Sequence, residues 1–198
     1  MKSISGFLLL LVLILPHSAT ALEKLPDKYL VTFGDPDAPI KVIEYYSFQC
    51  PHCIALFRSD FKRIHSEYIN SKEVHWTFHP IPTDLATVQG LVCMSNLSET
   101  QKRLYLEAIL EETEIGDPSI TALMMIKAMK LFEKPLPKLQ DQGFLENTDA
   151  FLDAFMFLKQ GEEITAVPTI EVNSKLYQKE VPDFDFIKSI VKKERGNS

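Results

Sequence analysis

Two cysteines three residues apart, Cys50 and Cys53, enclose Pro51 and His52 and are the residues best suited to chemistry in this chain. A C-x-x-C pair is either half of a tetrahedral metal site or a dithiol that closes into a disulfide. A zinc site needs two further ligands. The remaining cysteine, Cys93, lies far along the chain, and the histidines at 52, 65, 75 and 79 offer no H-x-x-x-H pair on a helix. His75 and His79 fall in a strand pattern instead. No metal is expected.

The dithiol reading has a mechanism. Ile54, Phe57, Phe61, Ile64 and Tyr68 recur at alternating spacings of 3 and 4, which marks the buried face of a helix. Pro51 suits the first turn of that helix, where a missing N–H costs nothing. Cys50 therefore stands at or next to the N-cap. Unpaired backbone N–H groups and the positive end of the helix dipole meet there, and both favour a thiolate. A protonated His52 adds to this; otherwise His52 is a plain surface residue. Cys53 follows by nearly one turn, close enough for the sulfurs to bond.

The flanking segments supply an α/β frame. Tyr29–Phe33 reads as a short strand, and Ile40–Tyr46 as a buried central one because its apolarity is nearly continuous. Val74–Phe78 is the next strand and completes a βαβ unit. Residues 84–160 show only helical signals. Ser98 to Gln101 is a capping box opening a helix to about Glu114. Asp117-Pro118 opens another through Phe132. Asn147 or Thr148 caps a third that ends at Gly161. Strands return at Thr169–Val172 and Lys175–Tyr177, joined at Asn173-Ser174. Pro182-Asp183 starts a last amphipathic helix, with Lys192, Lys193 and Arg195 at its C-terminal end.

The 198-residue chain is 45% hydrophobic and carries a net charge of −6. Its 21 Lys and Arg against 27 Asp and Glu argue against nucleic-acid binding. Residues 1–21 stand apart. Lys2 precedes an apolar run from Phe7 to Leu15, Pro16 ends it, and Ala19-Thr20-Ala21 matches a cleavage site. This is the pattern of a signal peptide. The run is too short for a membrane span, which takes about 20 residues. The expected mature chain, Leu22 to Ser198, would then work where disulfides persist.

The run Glu44-Tyr45-Tyr46-Ser47-Phe48-Gln49-Cys50-Pro51-His52-Cys53 resembles the active-site segment of the DsbA family of periplasmic thiol oxidases, within the thioredoxin superfamily. Gly34 to Pro39 is similar to that family's lead-in. Val167-Pro168-Thr169 falls where the family carries its cis-proline loop. The resemblance is specific near Cys50 and weak inside the helical segment. It implies a thioredoxin fold with an inserted all-helical domain: residues 22–83, an insertion at 84–160, and residues 161–198.

Roles follow from the resemblance. Cys50 would be the exposed nucleophile and Cys53 its buried partner. Pro51 and His52 would tune the pair toward oxidation, where a reductase of the thioredoxin type would carry glycine and then proline. Val167 and Pro168, with Pro168 cis, would offer backbone to a substrate. Glu44 would be a buried acid relaying protons; the alternative is a solvated carboxylate at a strand end. The implied partners are reduced exported polypeptides and a membrane reoxidising protein of the DsbB type, with a monomeric enzyme and no cofactor. Two other functions fit the same motif: a disulfide reductase or isomerase, and a polypeptide-binding chaperone with an incidental dithiol. Cys93, in Leu91-Val92-Cys93-Met94, reads as a buried small hydrophobe. Asn96-Leu97-Ser98 matches a glycosylation sequon, and Met124, Met125, Met129 and Phe132 read as core.

Overall fold

The structure is a computed structural model that describes residues 24–112, 118–159, 164–178 and 181–196. Residues 1–21, expected as a signal peptide, and the expected helix boundaries Asp117 and Gly161 lie outside the described residues.

Five strands form one mixed sheet in the order β1-β3-β2-β4-β5. They are β1 Val31–Phe33, β2 Ile40–Tyr46, β3 Val74–Pro80, β4 Thr169–Val172 and β5 Lys175–Tyr177. Only β2 and β3 run parallel, with Glu44 opposite Phe78; β2 pairs antiparallel with β4, Glu44 opposite Ile170. The parallel pair needs a crossover, and α1 supplies it. This helix begins as Pro51–Leu56 and runs on through Phe57–Phe61, Lys62–Ile64 and His65–Ile69. Two of these stretches, Phe57–Phe61 and His65–Ile69, widen to π turns, which the apolar spacing does not reveal. Ile54, Phe57, Phe61, Ile64 and Tyr68 are all buried on the sheet, where Phe57 and Phe61 meet the ring of Phe78.

The strand expected at Tyr29–Phe33 is shorter. Asp27–Tyr29 is a 3₁₀ turn and only Val31–Phe33 pairs, antiparallel to β3. Tyr29 instead turns inward, and its hydroxyl donates to Asp153 at 2.8 Å. In the other direction β3 outruns its expected end by two residues, to Pro80.

Between β3 and β4 every regular element among the described residues is a helix: α2 Leu85–Met94, α3 Glu99–Glu112, α4 Pro118–Leu131, α5 Gln142–Glu146 and α6 Asp149–Lys159. Ser98 and Gln101 make the reciprocal bonds of a capping box. Thr148, rather than Asn147, caps α6 by accepting the Phe151 N–H at 3.2 Å. α5 carries no strong sequence signal and was not expected. Met125 and Met129 are buried, with Met124 and Phe132 packed beside them. After β4, Asn173 and Ser174 take positive φ of 47° and 69°, the mirror-image turn that two-residue hairpins prefer. α7, Phe184–Arg195, starts at Asp183, which accepts the Phe186 N–H at 2.8 Å. It packs on the same side of the sheet as α1, with Phe184 stacked on Tyr68.

Candidate active site

Cys50 takes extended backbone angles, φ −79° and ψ 113°, and its carbonyl accepts the Ile54 N–H at 3.1 Å. It is the N-cap of α1. Its sulfur sits 3.1 Å from the Cys53 backbone nitrogen, in the place where a Ser or Asp oxygen usually caps a helix. Cys50 and Cys53 form a disulfide, with Cα atoms 5.2 Å apart. When that bond opens, the same N–H and the helix dipole face the Cys50 sulfur and stabilise negative charge on it.

Exposure separates the two sulfur-bearing residues. Cys53 is fully buried and Cys50 keeps 7% of its surface. Cys50 is thus the accessible member but not an openly exposed one, which corrects the picture drawn from the resemblance. The reason is the loop before β4. The Val167 carbonyl oxygen lies 3.4 Å from the Cys50 sulfur, the Val167–Pro168 bond is cis, and Pro168 is buried. Thr169 ties the loop by donating its hydroxyl to the Ala166 carbonyl at 2.7 Å. Pro51 and His52 are exposed on the first turn of α1 beside the pair.

Glu44 lies within the protein, 1% exposed, on the face of β2 turned toward α1. Neither carboxyl oxygen has a hydrogen-bond partner among the described residues. Burial pushes the carboxyl from its usual 4.5 up to about 8, and the nearby Trp76 indole N–H offsets only part of this. Trp76 itself falls short of a hydrogen bond of ordinary geometry. The hydroxyl of Tyr46 is likewise buried without a hydrogen-bond partner among the described residues. A carboxyl in this setting is protonated at neutral pH and can donate a proton as the environment changes.

Cys93 is fully buried, and burial pushes its thiol up to about 11, against a smaller opposing effect of the Tyr105 hydroxyl. Such a thiol is inert at neutral pH. Asn96 is exposed. Among the described residues no three His, Cys, Asp or Glu side chains gather to hold a metal ion. No helix among them is long and apolar enough to cross a membrane. The sequence reading overlooked Asp84, Thr87 and Thr121, which bind the turn leading to Cys50. Asp84 is legible as a helix cap before Leu85, but its partner Ser47 is not.

The family model described as Thioredoxin matches residues 27–193. A probable disulfide bond formation protein D of Bacillus anthracis is 24% identical over 173 residues, covering 82% of this chain and 77% of the relative. Among solved structures, oxidised BdbD from Bacillus subtilis superposes with a TM-score of 0.65 at 22% identity, covering 86% of this chain and 95% of its own. Chlamydia trachomatis DsbA does so with a TM-score of 0.64 at 20% identity, covering 84% and 92%. The chain belongs to the thioredoxin family, and its helical insertion and C-P-H-C pair make it a DsbA-type member. It is a thiol:disulfide oxidoreductase.

Proposed function

We propose that the protein is an exported oxidase that introduces disulfides into reduced polypeptides through Cys50 and Cys53. The observation that carries this reading is the Cys53 N–H directed at the Cys50 sulfur at a helix N-cap. Whatever stabilises the Cys50 thiolate stabilises the reduced enzyme, and a stable reduced form makes the disulfide a stronger oxidant.

A substrate thiolate attacks the Cys50 sulfur. A new S–S bond forms, the Cys50–Cys53 bond breaks, and Cys53 leaves with the electron pair. Glu44, protonated at neutral pH and buried on the α1 side of β2, is the acid suited to supply Cys53 with a proton. A second substrate thiolate then attacks the substrate sulfur of the mixed disulfide, and Cys50 leaves as a thiolate. The substrate has lost two electrons and two protons, and the enzyme holds the dithiol. Reoxidation falls to a membrane partner of the DsbB type. The Ala166–Val167 backbone offers an extended substrate a strand to pair with, which gives affinity without sequence preference. Residues 1–21 act as the cleaved export signal, which places a monomeric enzyme in the periplasm.

Equilibration of the pair with glutathione buffers tests the direction. The expected potential lies toward the value of about −120 mV known for DsbA; one near −270 mV, that of thioredoxin, would overturn the oxidase reading. Cys53→Ser should accumulate mixed disulfides with clients, and Cys50→Ser should form none.

A further inference from the structure

The turn that carries Cys50 is fastened to the inserted helices. Ser47 donates its hydroxyl to Asp84 Oδ2 at 2.6 Å and accepts the Gln49 N–H at 3.0 Å, while its carbonyl accepts the Cys50 N–H at 3.2 Å. The Phe48 N–H donates to Thr87 Oγ1 at 3.2 Å, and that hydroxyl donates in turn to Asp84 Oδ2 at 2.9 Å. Gln49 Nε2 donates to Thr121 Oγ1 at 2.6 Å. Phe48 also lies against Gly90 of α2 so closely that a Cβ there would stand 2.4 Å from the ring. Each residue of the turn thus has an anchor on α2, on α4 or at the cap of α2. Thr87 and Thr121 are both fully buried.

These anchors matter unequally in the two redox states. In the oxidised protein the covalent bond to Cys53 holds Cys50 in place. In the reduced protein that bond is gone, and the turn is what fastens Cys50 to the inserted helices while its sulfur faces the N–H groups of α1. We propose that Thr87 and Thr121 are positioning residues for Cys50: through Phe48 and Gln49 they keep its sulfur at the N-cap once the disulfide opens. Loosening the turn then weakens the reduced state more than the oxidised one. The inserted domain acts on the chemistry through this turn. The inference rests on Cys50 being the sulfur that bonds to the substrate and holds for an oxidase or an isomerase alike.

Among the described residues the titratable groups around Cys50 are His52 on α1, Glu44 on β2 and Asp84 behind Ser47; the Val167–Thr169 loop carries none, and α4 meets the turn through Thr121. Substituting Asp84 would remove a charge as well as a bond, and the two effects oppose each other at a thiolate. Neutral variants avoid this. Thr87→Val and Thr121→Val, in the full chain, should each shift the glutathione equilibrium toward the disulfide by up to about fivefold, the full worth of one hydrogen bond. The pH midpoint for alkylation of reduced Cys50 by iodoacetamide should rise in both. Thr87→Ser keeps the hydroxyl and should restore wild-type values. Asp141→Asn weakens the cap of α5, has no bond to the turn, and should change neither readout. Wild-type protein alkylated first at Cys53 would overturn the assignment of roles and this inference with it. Labelling at Cys50 first, with both valine variants unshifted, would overturn this inference alone.

Discussion

Tyr45 and Tyr46 are neighbours on β2, both fully buried, and point to opposite faces of the sheet. On the Tyr45 face the polar groups are paired. The Tyr45 hydroxyl donates to Glu171 Oε2 at 2.6 Å, and Lys24 lies 3.8 Å from the other carboxylate oxygen. His79 accepts the Leu25 N–H on Nε2 at 3.0 Å, and its Nδ1 lies 3.0 Å from the Pro80 carbonyl, so the ring proton sits on Nδ1. On the Tyr46 face, beneath α1, the carboxyl of Glu44, the hydroxyl of Tyr46 and the indole N–H of Trp76 have no hydrogen bond of ordinary geometry among the described residues. Unpaired buried polar groups are costly. Their concentration on one face of β2 and β3 sets a face with unpaired buried polar groups against one whose polar groups are bonded, and the proposed proton role of Glu44 belongs to the first.

Four substitutions sharpen or break this contrast. The largest effect should come from Glu44→Gln. A carboxyl at about 8 in the folded protein and 4.5 when unfolded binds its proton more tightly in the native state. Stability is therefore lost as pH rises from 4.5 toward 8, on the order of 3 kcal/mol by pH 7. Glu44→Gln should recover most of it in denaturant titrations at pH 7, with the gain vanishing below pH 4.5. Thiol exchange should slow in the same variant. A variant less stable at pH 7 than the parent would mean that Glu44 has partners after all.

His79 behaves in the opposite sense. Burial lowers its imidazole from 6.5 to about 4, so the unfolded chain takes up the proton first. Stability present above pH 6.5 is lost as pH falls toward 4. His79→Phe should cost about 2 kcal/mol at pH 7, because it leaves the Leu25 N–H unpaired. It should also flatten the acid limb of a melting-temperature profile and leave thiol exchange unchanged. Altered exchange would break the division of labour between the two faces.

The smallest effect is the most direct comparison. Tyr45→Phe removes a hydrogen bond to a carboxylate and should destabilise by about 1 to 2 kcal/mol. Tyr46→Phe removes a hydroxyl with no partner among the described residues and should be neutral or slightly stabilising. Equal losses in chemical denaturation would erase the distinction.

Legibility in the sequence followed the range of the interaction. The N-cap position of Cys50, the faces of α1 and α7 and the β4–β5 turn are local, repeating every two to four residues, and all were readable. The shortened β1 and the added α5 were not, because Tyr29 is captured by Asp153 and α5 is a single capped turn whose apolar side packs elsewhere.

By itself the sequence determined which residues could do redox chemistry, the strands and longer helices that flank them, and the family they resemble. Spacing and residue type carry that information along the chain. Only the tertiary structure decided that Cys50 is nearly covered by the Val167–Pro168 loop, that Glu44 is buried unpaired, and that Ser47, Phe48 and Gln49 bind α2 and α4. Those facts join residues 37 to 117 positions apart. Distance and desolvation, not local pattern, govern such contacts, and they exist only once the sheet and the inserted helices have packed.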